Sequence, residues 1–63
     1  MNDYHALTRQ LDAGHISVAE FVRALFGPDY GPVEAEAAFW LYHEAGGRRY
    51  TKEEFEKEAT LGT

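Results

Sequence analysis

Three breaks rich in glycine or proline divide the sequence into four short segments, and this division limits the chain to small structural elements. Gly14 follows the first segment, GPDYGP at residues 27–32 separates the second from the third, and Gly46 with Gly47 precedes the fourth. Glycine commonly ends a helix and proline suits its first turn, so the breaks mark helix boundaries. Each segment has room for about three helical turns.

Apolar residues within these segments recur at the spacing of an amphipathic helix. The first two stripes are Tyr4, Leu7 and Leu11, then Val18, Phe21, Val22 and Leu25. No segment alternates apolar and polar residues long enough to predict a strand, although Ile16 and Tyr50 are placed to form a very short bridge. The sequence therefore predicts an all-α fold: one compact domain over residues 1–63, with four short helices arranged as two helix-turn-helix units.

The second and fourth segments begin alike, with ISVAEF at residues 16–21 and YTKEEF at residues 50–55. Both contain the capping-box spacing, in which a hydroxyl side chain and a glutamate three residues later bond each other's backbone N–H. The pairs are Ser17 with Glu20 and Thr51 with Glu54. The repeat has two possible origins. Helix capping alone would produce it, and so would two copies of one structural unit.

The order helix, turn, helix, linker, repeated once, resembles the layout of an EF-hand pair. A calcium loop needs oxygen ligands before its final glutamate. Counting back from Glu20 and Glu54 gives instead Arg9, Leu11 and Ala13, and His43, Ala45 and Gly47. This resemblance implies a similar topology without bound calcium.

A second resemblance covers residues 16–58. ISVAEFVRALFG followed by FWLYHEAGGRRYTKEEFEK is similar to the mercury-resistance-regulator and excisionase type of winged helix-turn-helix. This resemblance implies that the third helix would bring Tyr42 and His43 to DNA, while Arg48 and Arg49 would contact phosphate. The connector FGPDYGPVEAEAAF is longer than the tight turn of that family.

The charge of the third segment favours a different partner. The formal net charge is -5, and residues 24–47 contain four acidic side chains with no lysine or arginine among them. These residues are Asp29, Glu34, Glu36 and Glu44. An acidic surface repels phosphate and attracts cations, so the pattern disfavours direct DNA binding and predicts a basic protein partner.

Few residues suit catalysis or metal binding. The chain has no cysteine, and His5, His15 and His43 lack the one-turn spacing that lets two imidazoles share a zinc ion. Ser17 is explained by capping, and no phosphate-binding loop is present. We therefore expect no enzyme activity, no cofactor and no metal.

The location of the protein is also predicted from composition. Absence of cysteine favours an intracellular setting. The longest apolar stretch, residues 37–42, is far too short to span a bilayer, and MNDYHALTRQ lacks the layout of a signal peptide. These features predict a cytoplasmic protein that does not bind membranes.

The third helix is predicted to have two different sides. One broad face should enter the core, and its residues are Ala35, Ala38, Phe39, Leu41, Tyr42 and Ala45. Trp40 falls on the other side, one turn from Glu36 and one turn from Glu44. It is either an exposed binding anchor or, if the helix is covered on both sides, the main core residue.

These observations predict a protein-protein interaction module. The predicted partner-binding residues are Asp29, Tyr30, Glu34, Glu36, Trp40, Tyr42 and Glu44. In size and charge the chain resembles phage-encoded anti-CRISPR inhibitors, which implies occlusion of a basic, nucleic-acid-binding surface. The alternatives are an excisionase-like DNA-binding protein that uses Arg48 and Arg49, and a structural subunit or homodimer that buries Trp40.

Overall fold

The computed structural model describes residues 3–62, which form four α-helices and no strand. The helices are α1 (Tyr4–Asp12), α2 (Val18–Phe26), α3 (Pro32–Glu44) and α4 (Lys52–Leu61). The predicted all-α fold of a single small domain is confirmed. The possible bridge between Ile16 and Tyr50 is not formed, because the Tyr50 N–H donates to the Tyr42 hydroxyl (3.1 Å).

Local capping chemistry sets where the helices begin. At α2, the Glu20 N–H donates to Ser17 Oγ (3.1 Å) and the Ser17 N–H donates to Glu20 Oε1 (2.8 Å). That bond from the Ser17 backbone is the main reason why the pKa of Glu20 lies below its ordinary value. Thr51 and Glu54 form the same reciprocal pair at α4. Both predicted capping boxes are therefore confirmed.

The glycine after α2 explains the sharp end of that helix. Gly27 has a φ angle of +94°, in the left-handed region that side chains with a Cβ rarely adopt. Its N–H donates to the Arg23 carbonyl (2.8 Å). The chain then turns back through residues 28–31 and enters α3 at Pro32.

Three aromatic side chains form the centre of the core. Phe21, Tyr42 and Phe55 are fully buried, and they come from α2, α3 and α4. Their ring centroids are 6.0 Å apart for Phe21 and Tyr42, 5.9 Å for Phe21 and Phe55, and 5.4 Å for Tyr42 and Phe55. The surrounding buried residues are Leu11, Val18, Val22, Ala35, Ala38, Phe39 and Ala59. Because α3 contacts the other three helices, one side of α3 is buried in the core.

The Tyr42 hydroxyl ties the loop between α3 and α4 to the end of α1. It donates to Asp12 Oδ1 (2.5 Å) and accepts from the backbone N–H groups of Arg49 (2.7 Å) and Tyr50 (3.1 Å). Asp12 Oδ2 accepts from the Arg48 N–H (3.0 Å). One donated and two accepted bonds use the full capacity of the hydroxyl. We call these groups the Tyr42 network.

Burial of the phenol, followed by its bond to the Asp12 carboxylate, raises the pKa of Tyr42 to about 12. The unfolded chain ionises this group near pH 10. The neutral phenol therefore stabilises the fold fully below about pH 10, and this contribution is lost as the pH rises towards 12. We expect the free energy of unfolding to fall over that interval.

Phenolate absorbance measured against pH tests this expectation. The native protein should show a tyrosine component that titrates near pH 12, and Tyr42→Phe should remove it. Tyr4→Phe is the matched control and should retain the component. Persistence of the late component in Tyr42→Phe would contradict the assignment.

Gly47 leaves room for the Tyr42 ring because it has no side chain. A methyl group at this position would lie 2.3 Å from Cε1 of Tyr42, well inside van der Waals contact. We expect Gly47→Ala to lower the free energy of unfolding by about 1–3 kcal/mol in urea denaturation, because the ring or the loop must shift. In the control Gly31→Ala the added methyl meets only Glu34 Oε1, at 3.2 Å, so a much smaller loss is expected. Equal losses would argue against the packing explanation.

Candidate functional site

The side of α3 that faces away from the core carries an exposed apolar stripe that ends in a carboxylate. Val33, Ala37, Trp40 and Glu44 recur at spacings of three and four residues and are all exposed. Val33 retains 77% of its accessible surface and Trp40 retains 51%. We call these four residues the outer face of α3.

Trp40 is the only tryptophan in the chain, and neighbouring rings support it on the helix. Its ring centroid lies 5.2 Å from that of Phe39 and 6.1 Å from that of His43, with interplanar angles of 69° and 89°. Phe39 is buried, whereas His43 is exposed. Of the two alternatives for Trp40, the one that makes it the main core residue is wrong, because half of its surface is open to solvent.

The two glutamates on either side of Trp40 have different surroundings. Lys52 Nζ lies 3.4 Å from Glu36 Oε2 and 3.1 Å from Glu56 Oε2. Its bond to Glu56, and then the one to Glu36, raise the pKa of Lys52. Glu44 is exposed and makes no ion pair within residues 3–62. The carboxylate at the end of α3 is therefore the less neutralised of the two.

Two further predicted acidic residues lie near the start of α3. Glu34 is half-buried, and its Oε1 accepts from the Gly31 N–H (2.9 Å). This bond gives Glu34 a structural role at the helix start. Asp29 is exposed in the connector between α2 and α3. The four acidic residues therefore do not form one uniform surface, and only Glu36 and Glu44 lie one turn from Trp40.

Tyr30 closes the corner between the connector and α4. Its hydroxyl donates to the Ala59 carbonyl (2.6 Å), and its ring packs against the core cluster. It also lines a small open cleft of about 130 Å³, together with Gly31, Pro32, Ala35, Ala59 and Thr60. A neighbouring cleft of about 390 Å³ is lined by Pro32, Ala35, Glu36, Lys52, Glu56 and Thr60. The two clefts share three residues and form a shallow groove between α3 and α4.

Tyr42 does not belong to a binding surface. The prediction that it contacts a partner is wrong, because its side chain is fully buried and its hydroxyl is used within the fold. The same burial keeps it from DNA, where the winged-helix resemblance would place it. His43, which that resemblance also places at DNA, is exposed beside Trp40.

The two adjacent arginines differ in what their side chains do. Arg49 Nη1 donates to the Asp12 carbonyl (3.3 Å), and its guanidinium carbon lies 5.9 Å from the centre of the Tyr50 ring. The Arg48 backbone is held by Asp12, but its side chain is exposed. Arg49 therefore helps to hold the loop on α1, and Arg48 presents the freer cation.

Sequence reasoning missed two residues that shape this surface. Asp12 organises the Tyr42 network from a distant part of the chain, and no local pattern indicates that contact. Lys52 neutralises Glu36 across two helices. The four-residue spacing between Lys52 and Glu56 indicates an ion pair on one helix, but no sequence pattern indicates the contact of Lys52 with α3.

Neither a metal centre nor a membrane-spanning element is found in the described part of the chain. Residues 3–62 contain no cluster of three or more histidine, aspartate or glutamate side chains suited to holding a metal ion. No helix in this range is both long enough and apolar enough to cross a bilayer.

Comparison with protein-family models, with curated proteins and with solved structures gives no match to this chain. The resemblances to winged-helix regulators, EF-hand pairs and anti-CRISPR inhibitors therefore stay predictions from the sequence.

Two adjacent aromatic residues lie on opposite sides of α3: Phe39 is in the core and Trp40 is on the outer face. We expect Phe39→Ala to lower the free energy of unfolding by about 3–5 kcal/mol, because it leaves a cavity in the core. Trp40→Ala should cost less, about 2 kcal/mol, because half of its surface is already in water and its removal leaves no closed cavity. Thermal and urea denaturation of the two variants measure this difference. Similar losses would mean that Trp40 supports the core as much as Phe39 does.

Proposed function

We propose that this protein is a non-enzymatic binding module that docks the outer face of α3 on a basic surface of another protein. The observation that carries the proposal is the half-exposed Trp40, which lies between two carboxylates on a helix whose other side is buried. Large aromatic side chains are enriched among the residues that dominate binding energy at protein interfaces.

The arrangement of the outer face supports this proposal. Val33, Ala37 and Trp40 supply apolar area, while Glu36 and Glu44 flank it. Interfaces commonly combine an apolar centre with a polar rim. Complementary charge at the rim speeds association and selects partners, and it makes binding sensitive to salt.

The proposed mode of action is occlusion of a surface that binds nucleic acid. Lysines and arginines that hold phosphate would meet Glu36 and Glu44, and these charge pairs are screened less where the apolar stripe excludes water. In this proposal the protein is a small cytoplasmic inhibitor of the kind that phages and other mobile elements make, similar in role to anti-CRISPR proteins. Size and net charge support that class.

A capture and competition experiment tests the proposal. The tagged protein is used to capture partners from its native host, and each captured protein is then assayed for nucleic-acid binding with the inhibitor added. We expect the native chain to block that binding and the double variant Trp40→Ala with Glu44→Gln to lose at least about tenfold in potency. Leu61→Ala, which alters an apolar side chain that is 70% exposed on α4, is the control and should stay active. Equal potency of the double variant and the native chain would contradict the proposal.

Two further measurements distinguish the alternative functions. Duplex DNA binding that is lost in Arg48→Ala would favour the excisionase-like alternative, and Arg48 is chosen because its side chain does not support the loop. A stable dimer in sedimentation that is lost in Trp40→Ala would favour the structural homodimer. The proposed module instead predicts a monomer without tight duplex binding.

A further inference from the structure

We infer that the outer face of α3 recognises an arginine side chain of the partner, with the guanidinium stacked on Trp40 and paired with the Glu44 carboxylate. This inference rests on the proposed function and specifies which side-chain chemistry the site selects. It is carried by the exposure of Trp40, the absence of an ion pair at Glu44 within residues 3–62, and the spacing between the two residues.

Among residues 3–62, no aromatic ring is stacked parallel on the indole of Trp40. Phe39 and His43 meet it at 69° and 89°, so neither ring lies parallel to the indole. Within residues 3–62, the one cation placed over an aromatic ring is Arg49, and it lies over Tyr50. Half of the Trp40 surface is open to solvent, so a cation from outside can reach the side chain, and tryptophan is the aromatic side chain that binds cations best.

Glu44 occupies a position where a carboxylate is unfavourable for the helix. It is the last residue of α3, and the carbonyl end of a helix carries a partial negative charge. No lysine or arginine within the described chain pairs with it, whereas Glu36 is already paired with Lys52. An external cation would relieve this repulsion, so the negative end of α3 attracts the charged group of the partner.

The distance between the two groups suits one arginine. Four residues of helix separate Trp40 from Glu44, which corresponds to about 6 Å along the axis. A guanidinium is planar, stacks on aromatic rings and donates two parallel hydrogen bonds to a carboxylate. A lysine ammonium is a compact and strongly hydrated charge that pairs with the carboxylate but stacks less well. The pair therefore discriminates arginine from lysine.

The fluorescence of Trp40 reports directly on this site, because the chain has no other tryptophan. The native protein is titrated at moderate salt with hexa-arginine and, separately, with hexa-lysine, which carry equal charge. We expect the dissociation constant for hexa-arginine to be about two- to fivefold lower, the range that corresponds to one exposed cation–π contact. Glu44→Gln should reduce this preference and weaken the binding of hexa-arginine.

Glu53→Gln is the matched control, because Glu53 is an exposed glutamate in the first turn of α4. It removes the same charge but should keep the preference for arginine. The melting temperatures of the two variants should shift in opposite directions: Glu44→Gln removes a negative charge from the negative end of a helix, while Glu53→Gln removes one from the positive end.

Equal affinities for hexa-arginine and hexa-lysine in the native protein would overturn the inference, as would equal effects of Glu44→Gln and Glu53→Gln on binding. Neither result would contradict the proposed docking of α3 on a partner, because the competition assay tests that proposal separately. The proposed function is contradicted instead when the double variant competes as well as the native chain, so the two failures are distinguishable.

Discussion

The hydrogen bond from the Tyr42 hydroxyl to Asp12 is the interaction on which the rest of the structure depends. The Tyr42 ring fills the centre of the core between α2 and α4, and its hydroxyl reaches the end of α1. The same oxygen accepts two backbone N–H groups from the loop before α4. A chain this small buries a limited apolar area, so one side chain that both packs and satisfies polar groups has a large effect on its stability.

The parts of the fold that sequence predicted are those determined by neighbouring residues. Ser17 with Glu20 and Thr51 with Glu54 fix the starts of two helices through contacts within one turn. Glycine and proline likewise act on the backbone at their own positions. Such interactions leave a readable pattern because their spacing along the chain is fixed.

The features that sequence did not predict depend on contacts between distant residues. Asp12 meets the loop before α4, and Lys52 meets Glu36 on another helix. Helical periodicity placed Tyr42 on the core side of α3. It could not show that the Tyr42 hydroxyl forms its hydrogen bonds within the fold. It also left Trp40 open between core and surface, because the number of helices that cover α3 is a property of the tertiary structure. The candidate site was therefore only partly predictable.

The helix α3 has one side in the core and the other in solvent. Phe39 and Tyr42 belong to the buried side, while Val33, Ala37, Trp40 and Glu44 lie on the opposite one. Substitutions on the exposed side change few buried contacts, so selection can act on them with little penalty in folding. In the proposed binding role, descendants of this chain can therefore change partner by altering a few solvent-facing positions of α3, while the core residues stay the same.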